Sequence, residues 1–375
     1  MPEDRPQKIL FVTLCLAGGG AERIVQLLLT HIDRSRYSPT LILLEDKVEY
    51  EIPPDITVKC LHKRTPVGFF RLIYKLAKIL KQEKPDAVIS FLTYPNIVLL
   101  LAKLLIRYKG NVFVSERSNP EVSISNQNRP RLFHFLVRKL YPLSNCVISL
   151  SKGVAERLDK GFSIPKEKIR VVHNSIDIQK VKTKARELPN WKWYQDTDMP
   201  IIIAVGRLTK AKAYPDLLRA FAAVRQKLPC RLVILGEGRE QQALNKLAAR
   251  LVISNDVAFL GFQENPFSFM AHSSVFALSS HWEGFGNVII EAMACGVPVI
   301  STNCPYGPNE IITGGLNGLL VSVGDIEAMA EAILKLLKDE TLRKRLAEAG
   351  KKRAENFRVE KMVAEYEKVF EDFSA

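Results

Sequence analysis

The sequence predicts an α/β protein of two domains, each containing a parallel β-sheet covered by helices. Three observations support this prediction. The chain has 375 residues, which exceeds one typical hydrophobic core and suits two domains. Short apolar runs alternate with helical patterns along most of the chain, and this alternation is typical of parallel sheets. A polar segment near residues 181–200, which contains Pro189 and Pro200, interrupts the alternation and predicts a linker.

The first half of the chain contains six apolar runs that predict strands. They lie at 8–14, 39–44, 87–91, 112–115, 146–150 and 169–173. Helical periodicity lies between them, at 21–32, 68–82, 95–106, 131–141 and 153–160. These elements define a first domain over residues 1–185, followed by a linker at 186–199.

A second strand-helix series follows the linker. Its predicted strands lie at 201–205, 231–235, 257–260, 275–278, 297–301 and 318–321. Its predicted helices lie at 215–226, 239–251, 266–271, 288–294 and 327–338, and the polar tail from 341 to 373 is helical. The second domain is therefore expected over residues 200–356. In open sheets of this kind, ligands lie beyond the carboxyl ends of the strands, so two such domains facing each other would enclose a cleft.

The composition is that of a globular protein. Hydrophobic residues make up 47% of the chain and charged residues 25%. The amino-terminal residues lack the apolar core of a signal peptide, and no apolar run is long enough to span a bilayer. The six cysteines are scattered without metal-like spacing, which indicates reduced thiols. We therefore expect a cytoplasmic protein.

The positive charge is concentrated in the first half. The formal net charge is +14, and the whole excess lies in residues 1–190. The segment 68–81 mixes Phe, Leu and Ile with Arg71, Lys75, Lys78 and Lys81, a pattern typical of helices that lie on anionic lipid. The alternative is an ordinary core-packing helix with a solvated basic face. Nucleic acid is not expected as a partner, because no known binding module accompanies the charge.

The segment 279–298 contains the most informative pattern of the chain. Glu283 and Glu291 flank a glycine-containing turn that leads into an apolar helix predicted from about Val288. Free N–H groups of the turn and the positive end of the helix favour a bound phosphate. The two carboxylates would repel a diphosphate, so we expect them to hold hydroxyl groups. The expected donor-binding residues of the turn are Gly284, Phe285, Gly286, Asn287 and Val288. The alternative is a helix-capping glutamate followed by an exposed one.

Two cations follow the first strand of the second series. Arg207 comes directly after that strand and Lys212 five residues later. A guanidinium fork and an ammonium at the carboxyl end of a strand match the charge of a diphosphate. A surface arginine and lysine without a ligand role are the alternative.

These motifs resemble those of the retaining glycosyltransferases of family 4, which have the GT-B fold. The resemblance covers Glu283-Gly-Phe-Gly-Asn through the helix to Val297-Pro-Val-Ile, and Gly206-Arg-Leu with Lys212. It implies two Rossmann-like domains and a last helix, 357–375, that crosses back to the first. It implies further that Glu283 contacts the donor sugar, Glu291 binds the ribose, and Arg207 and Lys212 bind the phosphates. Ala213 departs from the glycine common in the family.

The resemblance extends to three further loops. The loop 16–23 lies between the first strand and the first helix, and the family places Gly19, Gly20 and Glu22 near the donor phosphates and the acceptor. Its alternative is a tight turn without a ligand. Arg117 stands where many members have histidine, which excludes an acid or base role there, and with Asn119 it is expected on the acceptor side. The backbone at Phe262 is expected to bind the nucleotide base.

The implied reaction is transfer of a hexose or N-acetylhexosamine, with retention, from a UDP-sugar to a glycan on a polyprenyl diphosphate. Glu283, Arg207 and Lys212 are the expected catalytic residues; no metal and no cofactor are expected, because the two cations can neutralise the leaving group. The enzyme is expected on the inner face of the cell membrane as a peripheral protein. The alternatives are a GT-B epimerase of nucleotide-sugars and a basic, non-enzymatic anion-binding protein.

Overall fold

The structure is a computed structural model that describes residues 5–17, 19–62, 68–125, 127–195 and 199–373. The chain forms two compact units. The first comprises Met1–Ser175 together with Val359–Ala375, and the second comprises Ile176–Arg358. Each unit contains one parallel sheet, as predicted; the sheets have seven and six strands, one more than predicted in the first unit.

The sheet of the first unit has the strand order β3-β2-β1-β4-β5-β6-β7. Ile9–Val12 of the central strand are completely buried, because helices cover both faces of a parallel sheet. The strands are β1 Gln7–Thr13, β2 Tyr37–Leu43, β3 Thr57–Cys60, β4 Ala87–Phe91, β5 Asn111–Glu116, β6 Cys146–Ser149 and β7 Ile169–Val171. β3 was not predicted.

Helices of the first unit alternate with its strands. They are α1 Gly20–His31, α2 Gly68–Glu83, α3 Thr93–Ile106, α4 Pro120–Ser125, α5 Pro130–Leu140 and α6 Lys152–Phe162. The neighbours α2, α3 and α5 pack side by side in that order. α3 is the most apolar of them and is buried along most of its length, so it lies between its two neighbours as a core helix.

The sheet of the second unit has the strand order β10-β9-β8-β11-β12-β13. Its strands are β8 Ile201–Val205, β9 Arg231–Leu235, β10 Val257–Phe259, β11 Val275–Leu278, β12 Val299–Thr302 and β13 Leu319–Val321. Its helices are α7 Ile178–Ala185, α8 Lys192–Gln195, α9 Tyr214–Lys227, α10 Gln241–Arg250, α11 Pro266–Ala271, α12 Asn287–Cys295, α13 Pro308–Ile311, α14 Ile326–Lys338 and α15 Glu340–Ala354. β8 and β11 are adjacent, so the loops that follow them meet at one edge.

The units divide the chain at a different residue from the predicted 185. α7 belongs to the second unit because it packs against α11 and α12, and Asn265 Nδ2 donates to the carbonyl of Lys184 at 2.9 Å. The predicted linker, 186–199, contains the short helix α8, and its residues 196–198 lie outside the described residues.

The last helix, α16 Val359–Glu371, belongs to the first unit, as the resemblance implied. Six of its side chains, Val359, Met362, Val363, Tyr366, Val369 and Phe370, join the core formed by α1 and the central strands. Among the helices that the structure describes, none is long and apolar enough to cross a membrane.

Candidate active site

Lys212 and Glu283 form an ion pair at the carboxyl edge of the second sheet. Lys212 Nζ lies 2.5 Å from Glu283 Oε1, and the two side chains are 18% and 11% exposed. Ser280 Oγ also donates to Glu283 Oε1, at 2.6 Å. The two residues predicted to contact phosphate and sugar are therefore side by side, within reach of solvent but largely enclosed.

The backbone holds the loops after β8 and β11 together. The N–H of His281 donates to the carbonyl of Ala211 at 2.8 Å, and Ser279 Oγ donates to the carbonyl of Lys212 at 2.8 Å. His281 Nε2 lies 3.0 Å from Asp216 Oδ2 at the start of α9. His281 therefore helps to fix the loop.

The loops after β8 and β9 approach too closely for a side chain. Gly236 has φ of +129°, and a Cβ there would lie 2.2 Å from the carbonyl oxygen of Gly206. Only glycine permits both this backbone conformation and this approach. Arg207 lies next to the contact, and its side chain is exposed. Its guanidinium makes no ion pair with any described residue, so this cation is available to an anionic ligand.

The amino-terminal end of α12 faces the same turn. Gly286 precedes the helix with φ of +96° and, as a glycine at the N-cap position, provides no side-chain cap to the first turn. Such an end presents backbone N–H groups and partial positive charge. Glu291, one turn further along, is 8% exposed. The structure therefore places this carboxylate on a largely buried part of the helix and not on an exposed face.

The side chain of Phe285 lies in the core, which leaves the predicted ligand contact to its backbone. Its side chain is 1% exposed and packs edge-to-face on Phe357, with ring centroids 5.6 Å apart. The side chain therefore anchors the turn in the core, because a phenyl ring is more stable there than in water. Only the backbone of Phe285 can serve a ligand. Gly284, Asn287 and Val288 are partly exposed beside it.

Phe262 lies at the end of β10 with 72% of its surface exposed. Its backbone N–H points at Glu237 Oε1, at a long distance of 3.5 Å. The backbone N–H that was predicted to bind a nucleotide base therefore makes a long, exposed hydrogen bond to the carboxylate of Glu237. A base could replace that carboxylate as the hydrogen-bond acceptor.

The glycine-rich loop of the first unit carries its own carboxylate. Gly19 precedes α1, and the carboxyl group of Glu22 folds back so closely that a Cβ at Gly19 would lie 2.1 Å from Glu22 Oε2. A carboxylate at a helix amino terminus is stabilised by the helix dipole. Gly20 is exposed, and Gly18 lies outside the described residues. The position expected for a ligand anion is thus occupied by Glu22.

Arg117 is an internal residue and does not face an acceptor. Its side chain is 5% exposed, and its guanidinium donates to Asn174 Oδ1, Tyr366 Oη and the carbonyl of Val172. Burial lowers the pKa of this guanidinium from its usual value. Arg117 therefore ties the end of β5 to the segment after β7 and to α16, and the structure does not support the predicted acceptor contact.

Asn119 caps a helix. Its Oδ1 accepts a hydrogen bond from the N–H of Glu121 at 3.0 Å in the first turn of α4, the usual role of asparagine before a helix. The side chain is partly exposed. An acceptor contact by Asn119 would therefore compete with this cap.

Glu116 forms a buried network that the sequence did not predict. Tyr141 Oη donates to Glu116 Oε2 at 2.7 Å, and Thr93 Oγ1 lies 3.0 Å from both carboxyl oxygens. The side chain is completely inaccessible. Burial raises the pKa of this carboxyl to about 7, and the hydrogen bonds from Tyr141 and Thr93 limit the rise. The only sequence signal is a glutamate at the end of an apolar strand.

Potential metal ligands lie elsewhere. Among the described residues, one group of His, Cys and acidic side chains has ligand atoms close enough to share an ion, namely Asp46, Cys60 and His62 in the first unit. Neither Glu283 nor Glu291 belongs to it.

Comparisons with known proteins agree with this fold. Residues 186–353 match the family described as glycosyl transferases group 1, and residues 18–180 match Glycosyltransferase Family 4. The chain is 34% identical over 360 residues to a Campylobacter jejuni protein, with 94% of this chain and 96% of that protein covered. That protein is the N-acetylgalactosamine-N,N'-diacetylbacillosaminyl-diphospho-undecaprenol 4-alpha-N-acetylgalactosaminyltransferase. This chain is also 31% identical over 304 residues to the N-acetyl-alpha-D-glucosaminyl L-malate synthase of Bacillus anthracis, with 80% of this chain and 78% of that protein covered.

Solved structures show the same architecture. A glycosyltransferase from Rickettsia africae has a TM-score of 0.83 at 19% identity, with 98% of each chain covered. Anabaena Alr3699/HepE in complex with UDP has a TM-score of 0.80 at 21% identity, with 97% of this chain and 100% of that chain covered. The fold is therefore GT-B. The chain belongs to the glycosyltransferases of family 4.

Proposed function

We propose that this glycosyltransferase transfers a hexose or N-acetylhexosamine from a UDP-sugar to a hydroxyl of a glycan linked to a polyprenyl diphosphate, with retention of configuration. The observation that carries the proposal is the Lys212–Glu283 pair beside the uncapped end of α12. The Campylobacter jejuni relative, whose name specifies a diphospho-undecaprenol acceptor, supports the acceptor class. The solved complexes of Anabaena Alr3699/HepE with UDP and with UDP-glucose support the donor class.

In the proposed donor complex, Arg207 and Lys212 bind the diphosphate and the first turn of α12 adds backbone N–H groups. The diphosphate replaces Glu283 as the partner of the Lys212 ammonium. Glu283 Oε1 can then accept a hydrogen bond from a sugar hydroxyl. Glu291 accepts hydrogen bonds from the ribose. Each carboxylate thus meets neutral hydroxyl groups and each cation meets phosphate, so the charges of donor and site are complementary.

The proposed reaction needs no metal and no protein nucleophile. As the bond between the anomeric carbon and the phosphate oxygen breaks, Arg207 and Lys212 stabilise the charge that develops on the diphosphate. The acceptor oxygen attacks the anomeric carbon from the same face. The departing phosphate oxygen takes the proton of the acceptor hydroxyl, so atoms and charge balance and configuration is retained.

A panel of nucleotide-sugars tests the proposal. Each is incubated with and without a polyprenyl-diphosphate glycan, and the product is examined by mass spectrometry and proton NMR. We expect one UDP-sugar to be consumed only when the acceptor is present, giving a product with the anomeric configuration of the donor. Conversion of a nucleotide-sugar without acceptor would favour the epimerase instead, and an inverted product would exclude the proposed mechanism.

The proposal includes attachment to an anionic membrane through α2. Phe70 and Tyr74 are 78% and 66% exposed near its amino-terminal end, and Arg71, Lys78 and Lys81 are exposed on the same helix. Lys75 is less suited to lipid contact, because its Nζ donates to the carbonyl of Leu61 at 2.6 Å. Each exposed cation near an anionic surface contributes on the order of 1 kcal/mol, so three suffice for salt-sensitive, reversible binding.

Sedimentation with anionic vesicles tests this attachment. The triple variant Arg71→Glu, Lys78→Glu, Lys81→Glu should remain in the supernatant at low salt, whereas the wild type should pellet. A variant with the same change of charge in the second unit, Lys227→Glu, Lys246→Glu, Lys352→Glu, is the control, since these lysines are also exposed. If both variants pellet like the wild type, α2 does not bind the membrane.

A further inference from the structure

We propose that α5 is a second membrane-binding element, whose exposed face enters the interface of an anionic bilayer. Leu132 and Phe135 lie about one turn apart on that face and are 45% and 54% exposed. The opposite side of the helix is anchored, since Val137 and Leu140 are buried. The inference rests on the proposed function in one respect: a lipid-linked acceptor gives the enzyme a reason to bind a membrane.

The charges around this face indicate the occupant. The sequence of α5, PRLFHFLVRKL, contains no acidic residue, and Arg129 precedes it. Arg131, Arg138 and Lys139 are exposed. The neighbouring helix α4 carries Glu121, whose carboxylate is paired with Arg157. A helix that combines exposed apolar side chains with cations alone is typical of helices that lie in the interface of anionic lipid. Lys139 argues against a protein partner, because lysine is depleted in protein interfaces. The face therefore fits a bilayer with anionic headgroups.

A row of aromatic rings connects α5 to α2. The ring of Phe70 lies 5.8 Å from that of Phe69, and the ring of Phe69 lies 5.8 Å from that of Tyr94 in α3. Tyr94 in turn stacks on Phe133 of α5, at 6.3 Å and an interplanar angle of 18°. Phe133 is the neighbour of Leu132. The packed rings hold α2 and α5 in a fixed relation, and the proposal is that both helices contact the same bilayer.

The two helices should make different contributions to binding. On α2 the cations are spread to the carboxyl-terminal end, and their attraction for lipid falls as salt rises. Leu132 and Phe135 act by leaving water, which salt does not screen. Removing these two apolar side chains should therefore weaken the part of binding that persists at high salt.

The test compares two double variants on vesicles of phosphatidylglycerol and phosphatidylcholine. Leu132→Ser with Phe135→Ser removes the apolar face of α5. Leu188→Ser with Val252→Ser is the control, because these side chains are 80% and 89% exposed in the second unit. We expect the α5 variant to lose at least about tenfold in vesicle affinity, as expected for two half-exposed apolar side chains. The control should change less than about twofold, and equal affinities of the α5 variant and the wild type would refute the proposal.

Insertion can also be measured directly. Phe135→Trp places a reporter on the α5 face, and brominated lipid should quench its fluorescence beyond the quenching of the three native tryptophans. Absence of additional quenching would refute insertion. If the double variant instead dissociates a dimer, as measured by light scattering, while binding vesicles normally, the face belongs to a second copy of the chain and the proposal is wrong.

The outcome is separable from that of the proposed function. The Leu132→Ser, Phe135→Ser variant should transfer sugar to a short-chain, water-soluble acceptor within about twofold of the wild-type rate, because the changes lie outside the donor loops. Loss of vesicle binding with normal transfer supports the α5 assignment. If no acceptor on a polyprenyl diphosphate is used at all, the proposed function fails, and the vesicle measurement still decides the role of α5.

Discussion

The buried carboxyl of Glu116 should make the stability of the protein fall as the pH rises. Burial raises its pKa from 4.5 to about 7 in the folded protein. The folded state therefore binds more protons than the unfolded chain between these values, and the free energy of unfolding decreases with pH in that window. One pKa unit corresponds to about 1.4 kcal/mol, so ionised Glu116 costs the folded state about 3 kcal/mol.

The variant Glu116→Gln isolates this cost. Glutamine has the same size, keeps a carbonyl oxygen for Tyr141 and Thr93, and cannot ionise. Urea unfolding of wild type and variant at pH 5 and pH 8 gives the difference in the free energy of unfolding. The free energy of unfolding of the variant minus that of the wild type should be about 2–3 kcal/mol larger at pH 8 than at pH 5. All other ionisable groups cancel in this comparison.

Glu156→Gln is the matched control. The carboxyl of Glu156 is exposed, and the ammonium of Lys160 lowers its pKa. Its contribution is present above the unfolded pKa of about 4.5 and is lost only in more acidic solution. Its difference from the wild type should therefore stay nearly constant from pH 5 to pH 8. A pH-independent difference for Glu116→Gln as well would mean that Glu116 is already ionised at pH 5 in the folded protein, and the assigned burial cost would be wrong.

Four further predictions follow from the two units. Lys212→Ala and Glu291→Ala should each lower donor affinity and turnover by about tenfold or more without unfolding the protein, as circular dichroism and steady-state kinetics can measure. Glu283→Ala should reduce kcat more than UDP affinity; lost UDP binding in calorimetry with unchanged kcat would reverse its assignment. Activity should persist in excess EDTA, and rescue of a lost activity by one divalent ion would contradict the two-cation mechanism. Arg117→Ala should destabilise the first unit by roughly 3 kcal/mol in urea unfolding, because it leaves buried acceptors unpaired; an unchanged midpoint would contradict the internal role.

The parallel strands could be predicted well because burial on both faces makes them continuous apolar runs. β8 and β9 begin and end at the predicted residues. β3 could not be predicted, since it pairs only with β2 at the sheet edge and its residues Thr57 and Val58 are exposed. Its sequence, TVKC, alternates between polar and apolar residues over only four positions, the shortest span that indicates a strand, and contains no apolar run.

Contacts of the candidate site that follow from motifs at the ends of strands could be predicted. Contacts between residues far apart in the chain could not. The approach of Lys212 and Glu283 follows from two motifs at the ends of adjacent strands. The internal role of Arg117 depends on Tyr366, which lies 249 positions away in the chain and reaches it only because α16 joins the first unit. Ser280, which donates to Glu283, belongs to the predicted segment, but hydroxyl direction is not visible in a sequence.

The two units therefore present their ligand chemistry in different ways. In the second unit, Arg207 is exposed and unpaired among described residues, and the first turn of α12 has no side-chain cap. The guanidinium of Arg207 and the backbone N–H groups of α12 can therefore bind the phosphates of a nucleotide-sugar donor. In the first unit, Glu22, Arg117 and Asn119 are each engaged within the unit. Since the motif residues there support the fold, we expect attachment to the membrane that carries the acceptor to depend on the exposed side chains of α2 and α5.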